Sequence, residues 1–123
     1  MEPALSERSC QPCRRGTPPL SGDAVEAMMP LLPGWSVRDG RALVREFTFA
    51  DYASALRWVN AVSWLAELED HHPDVKLRWG GVELSLSTHS IGGLSENDFI
   101  LAAKVNVLER TAGSSGPGQP VPG

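Results

Sequence analysis

The sequence predicts an α+β domain in which three helices pack on one face of a four-stranded antiparallel sheet. Two stretches predict hairpins, one turning at Asp39-Gly40 and the other at Gly80-Gly81. In the second hairpin, apolar residues alternate with polar ones, which is typical of strands with one buried face. Apolar residues at helical spacing precede, separate and follow the hairpins, so the predicted order is α-β-β-α-β-β-α. This order favours a layer of helices over one sheet.

The first half of the chain predicts one short helix and one hairpin. Ser21 can cap the helix, and Pro30 predicts that it has a short or kinked end. Gly34 releases the chain into the first strand, and the return strand runs over residues 43–47.

The second half predicts the longest helix, the second hairpin and a final helix. The long helix opens at Asp51. Its expected inward stripe is formed by Leu56, Val59, Val62 and Ala66. The alternation along the next strand predicts that Trp79 lies in the core. The stretch from Ser95 to Asp98 resembles a capping box, which opens the third helix.

Composition limits the classes of function. The 123 residues suffice for one domain, and the net charge of -4 gives no electrostatic reason to bind nucleic acid. No apolar run approaches the roughly 20 residues that span a bilayer, and the N-terminus lacks the apolar centre of a secretory signal. We therefore expect a cytoplasmic protein. We predict a flexible arm over residues 1–19, a folded domain over 20–110 and a disordered Gly/Pro/Ser-rich tail over 111–123.

Both cysteines, Cys10 and Cys13, form one C-x-x-C motif in the predicted arm. A redox C-x-x-C is expected at a strand-to-helix turn, and a structural zinc site usually needs two more ligands. No strand is predicted before this pair. We therefore interpret it as a reduced and flexible pair, with an adventitious or intersubunit site as the alternative.

All three histidines of the chain, His71, His72 and His89, fall in one short region. His71 and His72 lie where the long helix ends and the third strand begins, whereas His89 lies just past the fourth strand. Because these two strands form a hairpin, the end of the fourth lies near the start of the third. The fold is therefore predicted to gather the three imidazoles at one edge of the sheet, with Glu67 and Asp70 in the same corner.

Spacing alone leaves three interpretations of the histidines open. Imidazole titrates near pH ~6.5, so these side chains can give or take a proton at neutral pH. Alternatively, His71 and His72 are favoured by the helix C-terminal dipole, and His89 is an ordinary loop residue. A three-histidine metal site is the third interpretation, although adjacent histidines are poorly placed to point at one ion. Asp98 is most simply a capping carboxylate, a role that does not exclude orienting a neighbouring imidazole.

The spacing of these residues resembles the signature of the pterin-4a-carbinolamine dehydratase family. The signature positions are occupied by Glu67, His71, His72, Pro73, Trp79, His89 and Asp98. The resemblance covers about residues 20–108 and includes Gly34-Trp35, the F-x-F-x-D motif at 47–51, and the DHHP and STH motifs. The family fold is the α-β-β-α-β-β-α arrangement predicted above, and the C-x-x-C arm resembles the bacterial branch.

The resemblance implies dehydration of 4a-hydroxytetrahydropterin to quinonoid dihydropterin, which follows the aromatic amino acid hydroxylases in tetrahydropterin recycling. It implies no metal and no organic cofactor, because imidazoles can protonate the leaving hydroxyl and accept the N5 proton. By motif position, His71 and His89 are implied as the acid/base pair, and His72 mainly as a substrate-binding group of the catalytic site. The implied pocket residues are Asp70, Ser87 and Thr88, and the implied supporting residues are Glu67 and Asp98.

A binding role on the same fold is the alternative function. Animal members of the family also serve as dimerisation cofactors of a transcription factor, and some dehydratase-like proteins resemble Rubisco assembly chaperones of carboxysome-forming bacteria. The expected partners are a pterin, a second copy in a homodimer or homotetramer, and an aromatic amino acid hydroxylase or Rubisco; nucleic acid and membranes are not expected. We expect assembly by sheet-edge pairing, with the strand over residues 43–47 at the edge.

Overall fold

The computed structural model describes residues 4–12 and 16–112 of the chain. Within them, the three α-helices and four strands are α1 (Gly22–Met28), β1 (Ser36–Arg38), β2 (Ala42–Thr48), α2 (Tyr52–Glu69), β3 (Asp74–Arg78), β4 (Gly81–Leu86) and α3 (Glu96–Ala112). Short 3₁₀ helices lie at Leu5–Glu7, Met29–Leu31 and His89–Ile91. The order confirms the predicted α+β fold. No helix among the described residues is long and apolar enough to cross a membrane.

The four strands form one antiparallel sheet in the order β1-β2-β4-β3. The edges are therefore β1 and β3, and the prediction that the strand over residues 43–47 lies at an edge is wrong. Leu43 and Val44 point to opposite faces of the sheet, yet they are only 0% and 6% exposed. A strand that is buried on both faces fits the centre of a sheet, where β2 pairs with β4 from Leu43 to Thr48.

The core lies between the sheet and the helices. It combines Val25 of α1, Val62 of α2 and Phe99 of α3 with Leu43 and Leu84 of the central strands. All of these side chains are at most 6% exposed, so the helices and the sheet share one continuous core.

A polar network also fastens α3 to β2. One Arg45 nitrogen, Nη2, lies 2.8 Å from both carboxylate oxygens of Glu109 and donates to them in a charge-assisted contact. Arg45 also donates to the Asn106 side-chain oxygen, and this oxygen accepts a second bond from the Trp35 ring nitrogen at 2.8 Å. The network fixes α3, which carries Asp98 in its first turn.

The packing face of α2 differs from the predicted stripe. Val62 and Ala66 are buried as expected, but Leu56 is 42% exposed. Trp58 is buried instead, and its ring lies 5.1 Å from that of Phe47, centroid to centroid. The large Trp58 indole lies on the side of α2 that faces the sheet. The spacing of apolar residues does not take side-chain size into account, so it did not predict this side.

Trp79 is not a core residue, and the prediction that placed it there is wrong. Strand β3 ends at Arg78, so Trp79 lies in the turn before β4 and is 73% exposed. Alternation applies only within a strand, and it ends where the chain turns. Val75 is 38% exposed as well, because β3 is an edge strand with a neighbour on one side only.

The sequence shows no packing pattern in residues 1–19, yet part of this stretch contacts the domain. Residues 4–12 lie along α3, and Leu5 is 7% exposed within the core. Cys13 and residues 113–123 lie outside the described residues, and the domain boundaries at residues 20 and 110 stay a prediction.

Candidate active site

The backbone brings the histidine-bearing segments together at one end of the β3–β4 hairpin. Asp74 pairs with Ser85 in the β3–β4 ladder. The ladder ends there, but the same register continued outward by three residues would set His71 across from Thr88. The reversal from α2 into β3 occurs at Asp70, whose φ of 51° and ψ of 40° lie in the left-handed region. Aspartate tolerates this region better than most side chains, which explains its place at the helix C-cap.

A hydrogen bond joins His71 to Asp98 at the centre of the site. The His71 Nε2 atom lies 2.6 Å from Asp98 Oδ1, and the two side chains are 12% and 0% exposed. The other Asp98 oxygen accepts hydrogen bonds from the Thr88 hydroxyl at 2.8 Å and from the Ser95 N–H at 2.9 Å. Thr88 Oγ1 also lies 2.7 Å from Ser95 Oγ. A fully buried carboxylate is thus surrounded by three hydrogen-bonding groups.

This environment assigns the histidine tautomer. An ionised carboxylate only accepts hydrogen bonds, so Nε2 of His71 carries the proton that points at Asp98. The Nδ1 atom of the neutral ring then holds the lone pair. The free Nδ1 atom can therefore accept a proton while Nε2 keeps its hydrogen bond to Asp98. The His71–Asp98 pair can therefore act as an oriented general base.

His72 has a more open setting. Its Nε2 atom lies 2.5 Å from Glu67 Oε2, and the two side chains are 50% and 63% exposed. Exposed ion pairs contribute little to folding, since water screens them. This pair can orient the His72 ring towards a ligand, but it does not bury a charge.

His89 lies at the start of the short helix His89–Ile91, and its side chain is exposed. The preceding residue, Thr88, donates its N–H to the Gly93 carbonyl at 2.8 Å, which closes this loop. Because the Thr88 hydroxyl also binds Asp98, the backbone that carries His89 is tied to the carboxylate that holds His71. Ser87, the residue after β4, is half-buried.

The predicted site residues therefore differ in their surroundings. Asp98 both binds the Ser95 N–H, as a capping carboxylate does, and holds an imidazole. Asp70 is exposed, and the Thr88 hydroxyl is occupied by Asp98 and Ser95. The sequence indicated Ser95 only as a helix cap, and no pattern signalled its hydroxyl contact with Thr88. The roles of these residues in substrate binding and catalysis stay predictions.

A metal centre was one of the interpretations left open by the spacing. Among residues 4–12 and 16–112, no three histidine, cysteine or acidic side chains are grouped so that they could hold an ion. The assignment of a metal-free site stays a prediction.

Comparison with known proteins identifies the family. The family model described as pterin 4 alpha carbinolamine dehydratase matches residues 18–108. A protein of Rubrobacter xylanophilus, provisionally named a pterin-4-alpha-carbinolamine dehydratase, is 47% identical over 104 residues, which are 85% of this chain and 97% of that protein. A protein of Alkaliphilus metalliredigens with the same provisional name is 48% identical over 103 residues, which are 83% of this chain and 93% of that protein.

Solved structures agree with this result. The crystal structure of a transcriptional coactivator/pterin dehydratase from Brucella melitensis matches with a TM-score of 0.68 and 33% identity, over 73% of this chain and 97% of that one. A pterin dehydratase-like protein identified as a RuBisCO assembly factor in the alpha-carboxysome matches with a TM-score of 0.52 and 22% identity, over 63% and 92% of the two chains. At that identity, the second likeness shows the fold alone. On the extent of these matches, this chain belongs to the pterin-4-alpha-carbinolamine dehydratase family.

Proposed function

We propose that this protein dehydrates a 4a-hydroxytetrahydropterin to quinonoid dihydropterin and water. The observation that carries the proposal is the His71–Asp98 pair, in which a buried carboxylate holds an imidazole at 2.6 Å in a chain of this family. An imidazole oriented in this way suits proton transfer at neutral pH. The substrate would come from a reaction that hydroxylates the pterin ring, as the aromatic amino acid hydroxylases do.

The reaction needs one base and one acid. The base removes the N5 proton, the N5 electron pair forms the N5–C4a double bond, and the C4a–oxygen bond breaks. The acid protonates the departing oxygen, which leaves as water, so atoms and charge balance. We assign the base to His71, because Asp98 holds its Nε2 atom and leaves Nδ1 to accept a proton, and the acid to His89. Groups of this kind each contribute typically 10²–10⁴-fold to a rate.

The remaining residues are assigned to substrate binding. His72 is more exposed than His71 and is oriented by Glu67, so we assign it to contact with the pterin rather than to the proton transfers. Asp70 lies two residues before His72 in the chain, and Ser87 would lie across from His72 if the β3–β4 register continued outward. We assign both to the pocket wall. We assign Thr88 chiefly to holding Asp98 through its hydroxyl. At this position Thr88 also borders the pocket.

A dehydratase assay on purified protein tests the proposal. The wild-type chain should accelerate dehydration of a 4a-hydroxytetrahydropterin without added metal. His71→Ala or His89→Ala should lower kcat at least tenfold, since each removes one proton-transfer group. As the matched control, His72→Ala should raise KM more than it lowers kcat.

Two results would contradict this assignment. Wild-type protein that is no faster than buffer would exclude turnover and favour a non-catalytic binding role on the same fold. Loss of activity on dialysis against a chelator, restored by zinc, would replace the metal-free acid/base mechanism with a metal-dependent one.

A further inference from the structure

The N-terminal segment, defined here as residues 4–12, is bound along the helix that carries Asp98. Its first turn places Leu5 in the core, where it is 7% exposed. Lys104 of α3 donates a hydrogen bond to the Ser6 carbonyl at 3.0 Å. An ion pair joins Arg8 to Glu96, at the start of α3, at 3.3 Å. The segment therefore follows α3 towards its N-terminal end.

The end of the N-terminal segment joins α2 to α3 through two consecutive residues. The Cys10 N–H donates to Glu69 Oε1, on the last residue of α2, at 2.9 Å. The Gln11 N–H donates to Asn97 Oδ1, in the first turn of α3, at 2.8 Å, and Asn97 Nδ2 donates back to the Gln11 carbonyl at 2.5 Å. The amide of Asn97 thus engages both polar groups of one backbone residue, which fixes direction as well as distance. The two N–H groups belong to consecutive peptide units that share the Cys10 Cα atom, so a short stretch of backbone bridges the two helices.

These anchors are not loose surface contacts. The side chains of Glu69 and Lys104 lie 3.6 Å apart and are 14% and 16% exposed, and Asn97 is 7% exposed. The Cys10 thiol donates to the Asn97 carbonyl at 3.6 Å. Burial and the neighbouring Glu69 carboxylate raise the pKa of this thiol to about 12, so it is neutral near pH 7. Displacing the segment would break these hydrogen bonds, each of which contributes about 1 kcal/mol to stability.

Both anchors lie next to the hydrogen-bonded His71–Asp98 pair in the chain. Glu69 precedes His71 by two residues, and Asn97 directly precedes Asp98. The His71–Asp98 hydrogen bond therefore crosses the same gap between α2 and α3 that the N-terminal segment bridges. We infer that the N-terminal segment is a positioning element that sets the geometry of His71 and Asp98. This inference rests on the proposed function, because these two residues are its proposed general base.

A backbone substitution tests the bridge without touching either helix. Gln11→Pro removes the N–H that Asn97 accepts, whereas Gln11→Ala keeps both backbone bonds and serves as the matched control. The readout is the exchange with water of the His71 Nε2 proton, followed by NMR in ¹⁵N-labelled protein. We expect Gln11→Pro to raise this exchange rate about fivefold, the factor that corresponds to about 1 kcal/mol for one hydrogen bond. Its kcat should fall by a similar factor with KM unchanged, and Gln11→Ala should match the wild type.

A second variant guards against misfolding. Asn97→Ala removes the bond from the Gln11 N–H and also the bond to the Gln11 carbonyl, this time from the side of α3. Near-ultraviolet circular dichroism reports whether each variant keeps its tertiary packing. Wild-type exchange of the His71 proton in either folded variant would overturn the inference. The exchange measurement does not depend on turnover, so a wild-type protein without dehydratase activity would refute the proposed function and leave this test intact.

Discussion

Asp98 is a buried carboxylate whose two oxygens serve different parts of the site. One oxygen faces His71, and the other faces the Ser95 N–H and the Thr88 hydroxyl. Each of these groups satisfies part of the hydrogen-bonding capacity of a side chain that is 0% exposed. The same bonds restrict the rotation of the carboxylate, so the His71 ring is oriented by a fixed acceptor.

Cys10 offers a residue-scale prediction that reports on the docking of the N-terminal segment. Its thiol pKa rises from 9.0 to about 12, first because of burial and then because of Glu69. Three pKa units correspond to about 1,000-fold less thiolate at neutral pH, and the thiolate is the form that alkylates. In a Cys13→Ser variant, iodoacetamide should therefore modify Cys10 at least tenfold more slowly in folded protein than in urea.

The size of that protection discriminates between a docked and an undocked segment. Local opening of the segment sets the residual rate, since an opened thiol reacts like a free one. Equal alkylation rates in buffer and in urea would mean that Cys10 is not held against Glu69 and Asn97 in solution.

At the scale of elements, the strands and helices could be predicted because their signals are local. The turn at Gly80-Gly81, the cap at Asp51 and the cap at Ser95 each act within a few residues. The hairpin also predicted that the segment after β4 lies near the segment before β3, because antiparallel pairing fixes which ends are adjacent. In the structure, His71 and Thr88 from these two segments bind the same Asp98 carboxylate.

Strand order and long-range docking could not be predicted in the same way. That β2 is central depends on its pairing with β4, which no local pattern of β2 specifies. The exposure of Trp79 depends on where β3 stops. The hydrogen bond from Gln11 to Asn97 joins residues 86 positions apart. Its donor is a backbone N–H, which every residue type except proline has, so the residue type does not reveal it. Sequence patterns report propensities along the chain, whereas these features arise from contacts across it.

The capping of α2 gives a pH-dependent prediction at the element scale. Asp51 accepts the Ser54 N–H at 2.8 Å, and this bond holds the pKa of Asp51 below its usual 3.8. Because the folded-state pKa is lower than the unfolded one, ionisation of Asp51 favours folding. This stabilisation is present above about pH 3.8 and is lost as the pH falls through the lower folded value.

Matched substitutions isolate the charge of Asp51 from its capping role. Asp51→Asn keeps a side-chain acceptor but does not titrate, whereas Asp51→Ala removes the cap. At pH 7 we expect the wild type to have a higher melting temperature than Asp51→Asn, and Asp51→Ala to have the lowest of the three. At pH 2.5 the difference between the wild type and Asp51→Asn should be smaller. If the melting temperature of the wild type exceeds that of Asp51→Asn by as much at pH 2.5 as at pH 7, the Asp51 charge does not stabilise the helix.

At the scale of the whole molecule, one chain leaves two kinds of surface uncovered. The sheet has edges at β1 and β3, and β3 carries exposed Asp74, Lys76 and Arg78, whose charges discourage indiscriminate pairing. Helix α2 exposes Trp64 and Leu68, which are 71% and 83% accessible. These two side chains lie one turn apart on the helix and form an apolar patch, a feature that commonly marks an interaction surface.

We therefore predict a homodimer or homotetramer in which the α2 patch is buried against a second copy, with sheet-edge pairing through β1 or β3 as the other contact. Trp64→Glu places a charge in the patch and should lower the mass measured by light scattering at micromolar concentration to a smaller species. Ser63→Glu is the matched control, because this exposed neighbour points about 100° away around the helix and should keep the wild-type mass. A monomeric wild type would contradict the predicted assembly. An unchanged mass for Trp64→Glu would exclude the α2 patch and leave the sheet edges as the contact that holds the copies together.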